Sequence, residues 1–322
     1  MSPQLTKQWI HTAAMPVYLG GAELNVAMAL ANWGLPVKYC TILPDNYLSQ
    51  EICSELNSKK IDTSAITFSG DRIGIYFLPQ GKDLKNEGVI YDRACSSFSK
   101  LLPGIIDWKQ VLQDCNWLHF SAITPALSND IKAVCLEALS VAKEMGLTTS
   151  IDLNYRAKLW QSGILPLAVI PNLVKYCDVV MGNIWAMEKI LGIAIPSNNL
   201  VTKNDFLAAA NEMSATLLSA YPQCKTVANT FRFTSNESIK YYATINTKFE
   251  IFNSIEFETN GCSDMSGSGD CFMAGLIYGM SNNMPPQAII DFAASAAVGK
   301  LQEAGDSTKQ SIEQIKTRLQ YE

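Results

Sequence analysis

Three segments of this chain share one pattern: a helix-like stretch ends in glycine, and a short apolar run follows it. The segments read "ALANWGLPVKYCTIL", "LSVAKEMGLTTSIDL" and "AMEKILGIAI". Glycine supplies the left-handed cap at the end of a helix, and an apolar run rich in β-formers after it predicts a strand. A repeated helix-then-strand unit favours an α/β fold, because the strands of a parallel sheet are joined by such helical crossovers.

Other apolar runs extend this pattern. They cover residues 116–123, 177–183 and 225–231 and are nearly continuous, as expected of strands that helices cover on both faces. At 322 residues the chain is compatible with one large α/β core. We therefore predict a doubly wound, mostly parallel sheet flanked by helices, in a single domain that spans residues 1–322.

Two segments have a different character. Residues 72–95 alternate apolar and polar side chains around a turn rich in Gly, Lys and Asn, which predicts a hairpin with one face in water. The stretch "PVYLGG" at residues 16–21 is similar. We predict that residues 1–20 and 70–98 form a small β lid over the main sheet.

Composition excludes several classes of partner. The net charge is −5 and no basic run is present, which argues against a nucleic-acid binder. Nine cysteines without a C-x-x-C pair, and only two histidines, favour a reduced cytoplasmic protein without a structural zinc site. Because no apolar stretch reaches the ~20 residues of a membrane span, we expect small-molecule ligands and no membrane partner.

The stretch "GSGDCFMAG" is the first candidate for chemistry. Gly267, Ser268 and Gly269 are small enough for a phosphate to approach the main chain, and a helix whose free N–H groups attract anions is predicted to begin there. An ionised Asp270 in its first turn could orient a hydroxyl and receive its proton during phosphoryl transfer. An ordinary glycine-rich turn with an acidic first-turn residue is the alternative, and this element alone does not decide between them.

A second candidate is "IDLNYR", where four hydrogen-bonding side chains follow a predicted strand: Asp152, Asn154, Tyr155 and Arg156. Ligands of α/β sheets bind outside the carboxyl ends of the strands, and a guanidinium there can hold a carboxylate or phosphate through two hydrogen bonds. A surface ion pair is the alternative for Arg156.

Two further candidates lie in or near the predicted lid. Tyr91 and Arg93 are two residues apart and hence on one face of a strand, and Tyr76 could join them from the paired strand. An exposed hairpin also carries such residues by chance. Gly21 precedes a predicted helix with Asn25 one turn inside it, which allows close approach of a ligand or is simply a tight turn.

The chain has neither a Walker loop, a Rossmann G-x-G-x-x-G fingerprint nor a G-x-S-x-G elbow. Taken together, "YLGGAELNVA", "DRIGIYFL", "VIYDRA", "HFSAITPAL", "DLNYRAKLW", "GSGDCF" and "AGD" resemble the ribokinase-like (phosphofructokinase-B) sugar kinases over nearly the whole chain. The segments "IYFL", "IYDRA", "ITPAL" and "DLNYRAKLW" are similar to the ketodeoxygluconate branch of that family.

The resemblance implies an enzyme that uses ATP and Mg²⁺ to phosphorylate the terminal hydroxyl of 2-keto-3-deoxygluconate. It makes Asp270 the catalytic base and the backbone of residues 267–270 the anion hole. It also implies a homo-oligomer formed through the lid. The residues that it places around the sugar acid are Gly21, Asn25, Tyr76, Tyr91, Arg93, Ile123, Arg156 and Asp306. Those that it places around ATP are Asn183, Gly269, and Thr230 and Arg232 in a turn at residues 229–232.

Three features depart from the family pattern. The chain begins at "MSPQLT", beyond the point where the family has a first central strand ending in Gly-Glu. A strand-end Asn-x-x-acid element linked to magnesium has Ala186 three residues after Asn183, so metal binding is expected to be weakened or shifted to Glu188. "GSGD" replaces the commoner Gly-Ala-Gly-Asp, which preserves the backbone amides.

Two alternatives remain open from sequence. One is a kinase for another sugar, of the fructose or ribose type, although a neutral substrate has no need of Arg93 and Arg156. The other is a catalytically weak sugar-acid-binding protein, against which the intact Asp270 and its glycines argue. The sequence does not distinguish gluconate from galactonate stereochemistry.

Overall fold

The computed structural model describes residues 2–5, 14–79, 89–160, 163, 165–235 and 238–320. The strands, in chain order, are β1 (Ser2–Leu5), β2 (Val17–Tyr18), β3 (Val37–Lys38), β4 (Thr41–Leu43), β5 (Ile61–Asp62), β6 (Ile66–Phe68), β7 (Ile75–Pro79), β8 (Ile90–Asp92), β9 (Trp117–Ser121), β10 (Thr148–Asp152), β11 (Val179–Gly182), β12 (Thr226–Ser235), β13 (Ser238–Thr247), β14 (Ile251–Asn253) and β15 (Phe257–Asn260).

The helices, in chain order, are α1 (Ala22–Asn32), α2 (Tyr47–Ser58), α3 (Trp108–Leu112), α4 (Asn129–Glu144), α5 (Pro166–Val174), α6 (Ile184–Leu191), α7 (Lys203–Ala220), α8 (Ser268–Ser281), α9 (Pro286–Lys300) and α10 (Ile312–Arg318). Short 3₁₀ turns cover Phe98–Lys100 and Ala157–Leu159. Among the described residues, no helix is both long and apolar enough to cross a bilayer.

The chain divides into two compact units. The first comprises Met1–Leu101, Phe233–Tyr241 and Phe257–Glu322, and the second comprises Leu102–Arg232 and Tyr242–Glu256. The strands β12 and β13 contribute residues to both.

The second unit contains the parallel sheet that the sequence predicts. Strands β9, β10, β11 and β12 are neighbours in that order and all run parallel. Every residue of β11 is buried, as are the last four of β10, which is typical of strands covered on both faces. With helices α4 to α7 connecting these strands along the chain, the predicted mostly parallel α/β sheet flanked by helices is confirmed.

One predicted strand is wrong. Gly192 caps α6 in the left-handed conformation, with φ 70°, as expected. The apolar run that follows it, residues 193–196, forms no strand. Both edges of β11 are already paired, to β10 and to β12, so no position in the sheet beside it is open. Ile193 is instead buried in the connection to α7.

The first unit holds a four-stranded sheet in the order β2-β1-β7-β8. Strands β7 and β8 pair antiparallel, which confirms the predicted hairpin, and its turn at residues 80–88 lies outside the described residues. Strand β1 pairs antiparallel with β2 and parallel with β7. These strands come from the segments predicted to form the lid.

The core of the first unit is helical. Helix α8 packs against α1 and α9, and ten of the fourteen residues of α8 are buried. Small residues allow this close packing: a methyl group added at Gly275 would lie 2.6 Å from the Cα of Ala293 in α9. The N-terminal end of α8, where the first candidate site lies, is therefore set on a closely packed base.

None of the nine cysteines, all of which lie within the described residues, forms a disulfide bond. Cys95 is exposed, and the other eight are buried or half-buried. Burial raises the pKa of Cys40 to about 11 and that of Cys224 to about 12. Burial therefore suppresses the thiolate form of these two residues.

Candidate functional site

The turn before α8 depends on a glycine. Gly267 has φ 71°, in the left-handed region, and precedes the first residue of the helix. A methyl group added there would lie 1.8 Å from the backbone oxygen of Asp306. The hydroxyl of Ser268 is buried and donates to the carbonyl oxygen of Ala297 in α9, at 3.1 Å. The turn is thus fixed against α9 and the segment after it, and the first N–H groups of α8 have no partner within the helix.

Asp270 lies in the first turn of α8, as predicted, and is 8% exposed. The side-chain amide of Asn25 donates to its Oδ2 at 2.7 Å. Asn25 lies in the first turn of α1 and is 5% exposed, and its backbone N–H donates to the oxygen of Gly21 at 2.8 Å. Helix α1 therefore holds the Asp270 carboxylate in one orientation. Among the described residues, the Oδ1 atom of Asn25 has no hydrogen-bond partner.

Two more of the predicted residues, Tyr76 and Asp306, lie close to Gly20. A methyl group added at Gly20 would lie 2.0 Å from the Tyr76 hydroxyl and 2.6 Å from Oδ2 of Asp306. Both side chains therefore converge on the bare backbone that leads into α1. Since the backbone of Asp306 also contacts Gly267, the structure brings together Gly21, Asn25, Tyr76, Asp270 and Asp306 within the first unit.

The aromatic and guanidinium side chains of the hairpin also meet as predicted. Tyr76 and Tyr91 are direct cross-strand partners. The guanidinium carbon of Arg93 lies 5.2 Å from the ring centre of Tyr76 and 5.0 Å from that of Tyr91. Cation–π attraction to two rings restrains the guanidinium.

Sequence reasoning missed Tyr39 and Glu23. Burial is the main cause that raises the pKa of Tyr39 well above its usual range, and the carboxylate of Glu23 adds to it, while Arg93 acts in the opposite direction. Tyr39 therefore lies within electrostatic range of both Glu23 and Arg93. Glu23 belongs to the motif "GGAELN", so a signal for it was present in the sequence.

The second unit holds the remaining sugar-acid candidates. Asp152 ends β10 and is buried, and its Oδ1 accepts from the backbone N–H of Asn154 at 3.0 Å. The guanidinium of Arg156 donates to the carbonyl oxygen of Tyr155 at 3.3 Å. Ile123 lies in the turn after β9, and the last residue of β9 pairs with Asp152, so Ile123 and the segment after Asp152 follow adjacent strand ends.

Two of the four residues predicted to contact ATP lie elsewhere in the fold than expected. Thr230 and Arg232 are inside the ten-residue strand β12, so the predicted turn at residues 229–232 is wrong. Asn229 pairs with Gly182 of β11, and its buried side chain donates to the hydroxyl of Ser214 at 2.9 Å. Sheet pairing has overridden the turn preference of asparagine and threonine.

Asn183 lies at the carboxyl end of β11 and is the N-cap of α6. Its Oδ1 accepts from the backbone N–H of Ala186 at 2.8 Å. Within the described part of the chain, no group of three or more His, Cys, Asp or Glu residues is arranged to hold a metal ion.

We expect Asn183→Ala to lower the free energy of unfolding by about 1 kcal/mol, because it removes a side-chain cap. We also expect a higher KM for ATP. Asn46→Ala is a matched control, since Asn46 caps α2 in the same way and accepts from the N–H of Ser49 at 3.0 Å. Urea unfolding and ATP titration of both variants test this. An equal KM for ATP in the two variants would contradict a role of Asn183 in ATP binding.

Known proteins resemble this chain over most of its length. A model of the pfkB family carbohydrate kinases matches residues 4–221. The crystal structure of 2-dehydro-3-deoxygluconokinase from Thermotoga maritima is similar with a TM-score of 0.89 and 33% identity, over 99% of this chain and 96% of that one.

Curated relatives differ in the sugar that their names contain. A 2-dehydro-3-deoxygalactonokinase of Haloferax volcanii is 35% identical over 140 residues, which is 44% of this chain and 44% of that protein. A 5-dehydro-2-deoxygluconokinase of Geobacillus thermodenitrificans is 26% identical over 314 residues, or 96% of this chain and 86% of that protein. The first of these matches spans less than half of either chain.

Proposed function

The chain belongs to the pfkB family of carbohydrate kinases, and we propose that it transfers the γ-phosphoryl group of ATP to the terminal hydroxyl of 2-keto-3-deoxygluconate. One observation carries the proposal: the Asp270 carboxylate is held by Asn25 in the first turn of a helix that begins at a left-handed glycine. This arrangement places a proton acceptor beside the backbone N–H groups of the first turn of a helix, where anions bind.

Asp270 orients the acceptor hydroxyl and receives its proton as phosphoryl transfer proceeds. Phosphoryl transfer depends chiefly on positioning and on stabilising charge at the transferred oxygens. Asn25 fixes the carboxylate, and the N–H groups of Ser268, Gly269 and Asp270 bind the transferred group. The Oδ1 of Asn25 has no partner in the described part of the chain, which supports the presence of a ligand donor, such as a sugar hydroxyl, because buried acceptors are nearly always satisfied.

The sugar acid is bound by the residues around Gly20 and by the hairpin. Arg93 binds its carboxylate, and Tyr76, Tyr91 and Asp306 bind hydroxyl groups. The guanidinium of Arg93 lies over two aromatic rings. Its N–H groups point outward in the plane of the guanidinium itself, so they can still donate hydrogen bonds to a carboxylate. Ile123 and Arg156 are assigned to the same ligand from the family resemblance.

ATP is assigned to Asn183, Thr230, Arg232 and Gly269, again from the resemblance. Mg²⁺, when bound with ATP, would supply positive charge to neutralise the charge that develops on the phosphates. Magnesium usually keeps several waters and takes one or two protein carboxylates besides the phosphates, so a sparse donor set is compatible with it. Glu188, in α6, is the carboxylate that we assign to this role.

We further propose that the four-stranded sheet closes over the sugar as a lid and excludes water, which protects ATP from hydrolysis. Subunits associate through this sheet. A cytoplasmic location agrees with nine cysteines that form no disulfide bond among the described residues.

The test is a coupled measurement of ADP release by the purified protein with ATP and Mg²⁺. The acceptors are 2-keto-3-deoxygluconate, 2-keto-3-deoxygalactonate, 5-dehydro-2-deoxygluconate, fructose and ribose. We expect the highest kcat/KM with 2-keto-3-deoxygluconate. Preference for a neutral sugar would replace our proposal with the other kinase, and binding without turnover would support a sugar-acid-binding protein.

Replacing Arg156 with lysine should raise KM for the sugar acid about tenfold, the cost of one lost charge-assisted hydrogen bond, since lysine cannot bind a carboxylate through two parallel bonds. KM for fructose should not change. Arg72→Lys is the control, because Arg72 already forms an ion pair with Asp92 at 2.6 Å. Steady-state kinetics with both acceptors measures the two KM values. If KM rose equally for the sugar acid and for fructose, the assignment of Arg156 to the carboxylate would be contradicted.

A further inference from the structure

Lys300 is a charged side chain in the core of the first unit. It is the last residue of α9 and is 0% exposed. It follows the apolar run "AASAAVG", so its burial breaks the usual rule that lysine lies at the surface. A fully buried ammonium is costly unless nearby groups compensate its charge.

The described residues compensate this ammonium only in part. Its Nζ donates to the backbone oxygen of Glu303 at 3.2 Å. A lysine ammonium has three donors, and within the described part of the chain Lys300 forms no further hydrogen bond and no ion pair. The described residues therefore leave part of this positive charge uncompensated.

The position of this charge is next to the proposed phosphate-binding turn. A methyl group added at Gly267 would lie 3.5 Å from Cε of Lys300. Ser268 is bonded to Ala297, one turn before Lys300 on α9. The side chain of Lys300 therefore runs beneath the point where α8 begins.

The same ammonium is attached to the loop after α9. The backbone N–H of Ser263 donates to the oxygen of Leu301 at 2.8 Å, and that of Gly305 donates to Oδ2 of Asp264 at 3.3 Å. Lys300 bonds the oxygen of Glu303 in this loop, which leads to Asp306. These two backbone segments, 263–267 and 301–306, are thus joined by their own hydrogen bonds, and Lys300 bonds the second of them close to the start of α8.

We infer that Lys300 is a positioning residue for phosphoryl transfer, a fixed internal cation beside the turn at Gly267 that attracts the transferred phosphoryl group to the N-terminus of α8. This inference rests on the proposed kinase function.

The test compares Lys300→Met with Lys309→Met, which removes an exposed lysine from the same loop. Methionine has nearly the volume of lysine without its charge. We expect Lys300→Met to lower kcat by about tenfold to a hundredfold, somewhat less than the loss of a direct transition-state donor. KM for the sugar acid should change less than about twofold, since the charge acts on the phosphoryl group.

Thermal unfolding separates this role from a structural one. Replacing a buried charge by an apolar side chain of similar volume is often neutral or stabilising. We therefore expect lost turnover with an unchanged or higher Tm in Lys300→Met, and no change of either in Lys309→Met. A loss of turnover explained by a lower Tm, or near-normal kcat in Lys300→Met, would overturn the inference.

Chemical rescue provides a second variant. Lys300→Ala leaves a space that a small cation can enter, so NH₄⁺ or methylammonium should restore part of kcat, whereas tetramethylammonium should not. No rescue by either small cation, in a variant that remains folded, would contradict the role of the charge.

A calorimetric measurement distinguishes failure of this inference from failure of the proposed function. If the unmodified protein phosphorylates none of the acceptors, the proposed function fails, and binding of β,γ-imido-ATP still reports on Lys300. The analogue should then bind about tenfold more weakly to Lys300→Met than to Lys309→Met, as the loss of one favourable charge interaction predicts. Equal affinities would overturn the inference.

Discussion

Replacing Asp270 with asparagine should remove nearly all turnover while leaving the fold and sugar binding in place. The amide has the shape of the carboxylate and can still accept a hydrogen bond from Asn25. It cannot receive the proton of the acceptor hydroxyl, so kcat should fall by about 10²–10⁴, the usual contribution of a general base. Steady-state kinetics and calorimetric titration with the sugar acid measure the two effects separately.

Asp130→Asn is the matched control for this variant. Asp130 is also an acid in the first turn of a helix, α4, but it is exposed on the surface of the second unit. Both substitutions remove a negative charge from a helix N-terminus, which alters stability by only about 0.3–1 kcal/mol. A near-normal kcat in Asp270→Asn would refute the assigned base, and equal losses in both variants would assign the effect to helix electrostatics.

Gly267→Ala is the second substitution with a large expected effect. Its methyl group would lie 1.8 Å from the backbone oxygen of Asp306, so the turn and the segment that carries Asp306 must separate. A displacement of about 1 Å in a phosphate-binding turn is expected to cost about 10²-fold in kcat. The left-handed φ alone costs of order 1–3 kcal/mol for a residue with a side chain.

Gly34→Ala separates these two causes. Gly34 has φ +86°, and a methyl group added there meets nothing within 4 Å. Both variants pay the cost of the left-handed conformation, but only Gly267→Ala forces backbone apart. We expect Gly34→Ala to lose stability in urea unfolding and keep its kcat. If Gly267→Ala behaved in the same way, close approach at the turn would not be required for catalysis.

Local patterns were sufficient for much of the fold. Gly146 is left-handed, with φ 76°, and β10 follows it as the helix-glycine-strand pattern predicts. The same pattern at Gly192 gives a correct helix end and a wrong strand, because the positions on both sides of β11 are taken by strands from elsewhere in the chain. A short apolar run does not specify whether a sheet edge is open to it.

In the candidate site, too, local sequence patterns predict some contacts and miss others. The period-two spacing of Tyr91 and Arg93 correctly predicts that they meet Tyr76 across the hairpin. The bond between Asn25 and Asp270 joins residues 245 positions apart, and motif order gives no geometry for it. Lys300 was missed because burial of a charge depends on the packing of α8 against α9, which the sequence does not display.

The distribution of thiols has a practical consequence for measuring motion in this enzyme. Cys95 is the exposed cysteine among nine, and it lies two residues after Arg93 in the turn that follows β8. A maleimide fluorophore will therefore attach preferentially at this position without any engineered cysteine, since thiol reagents require access. The unmodified chain thus has an attachment point for a fluorescent reporter two residues from Arg93, the residue proposed to bind the carboxylate of the sugar acid.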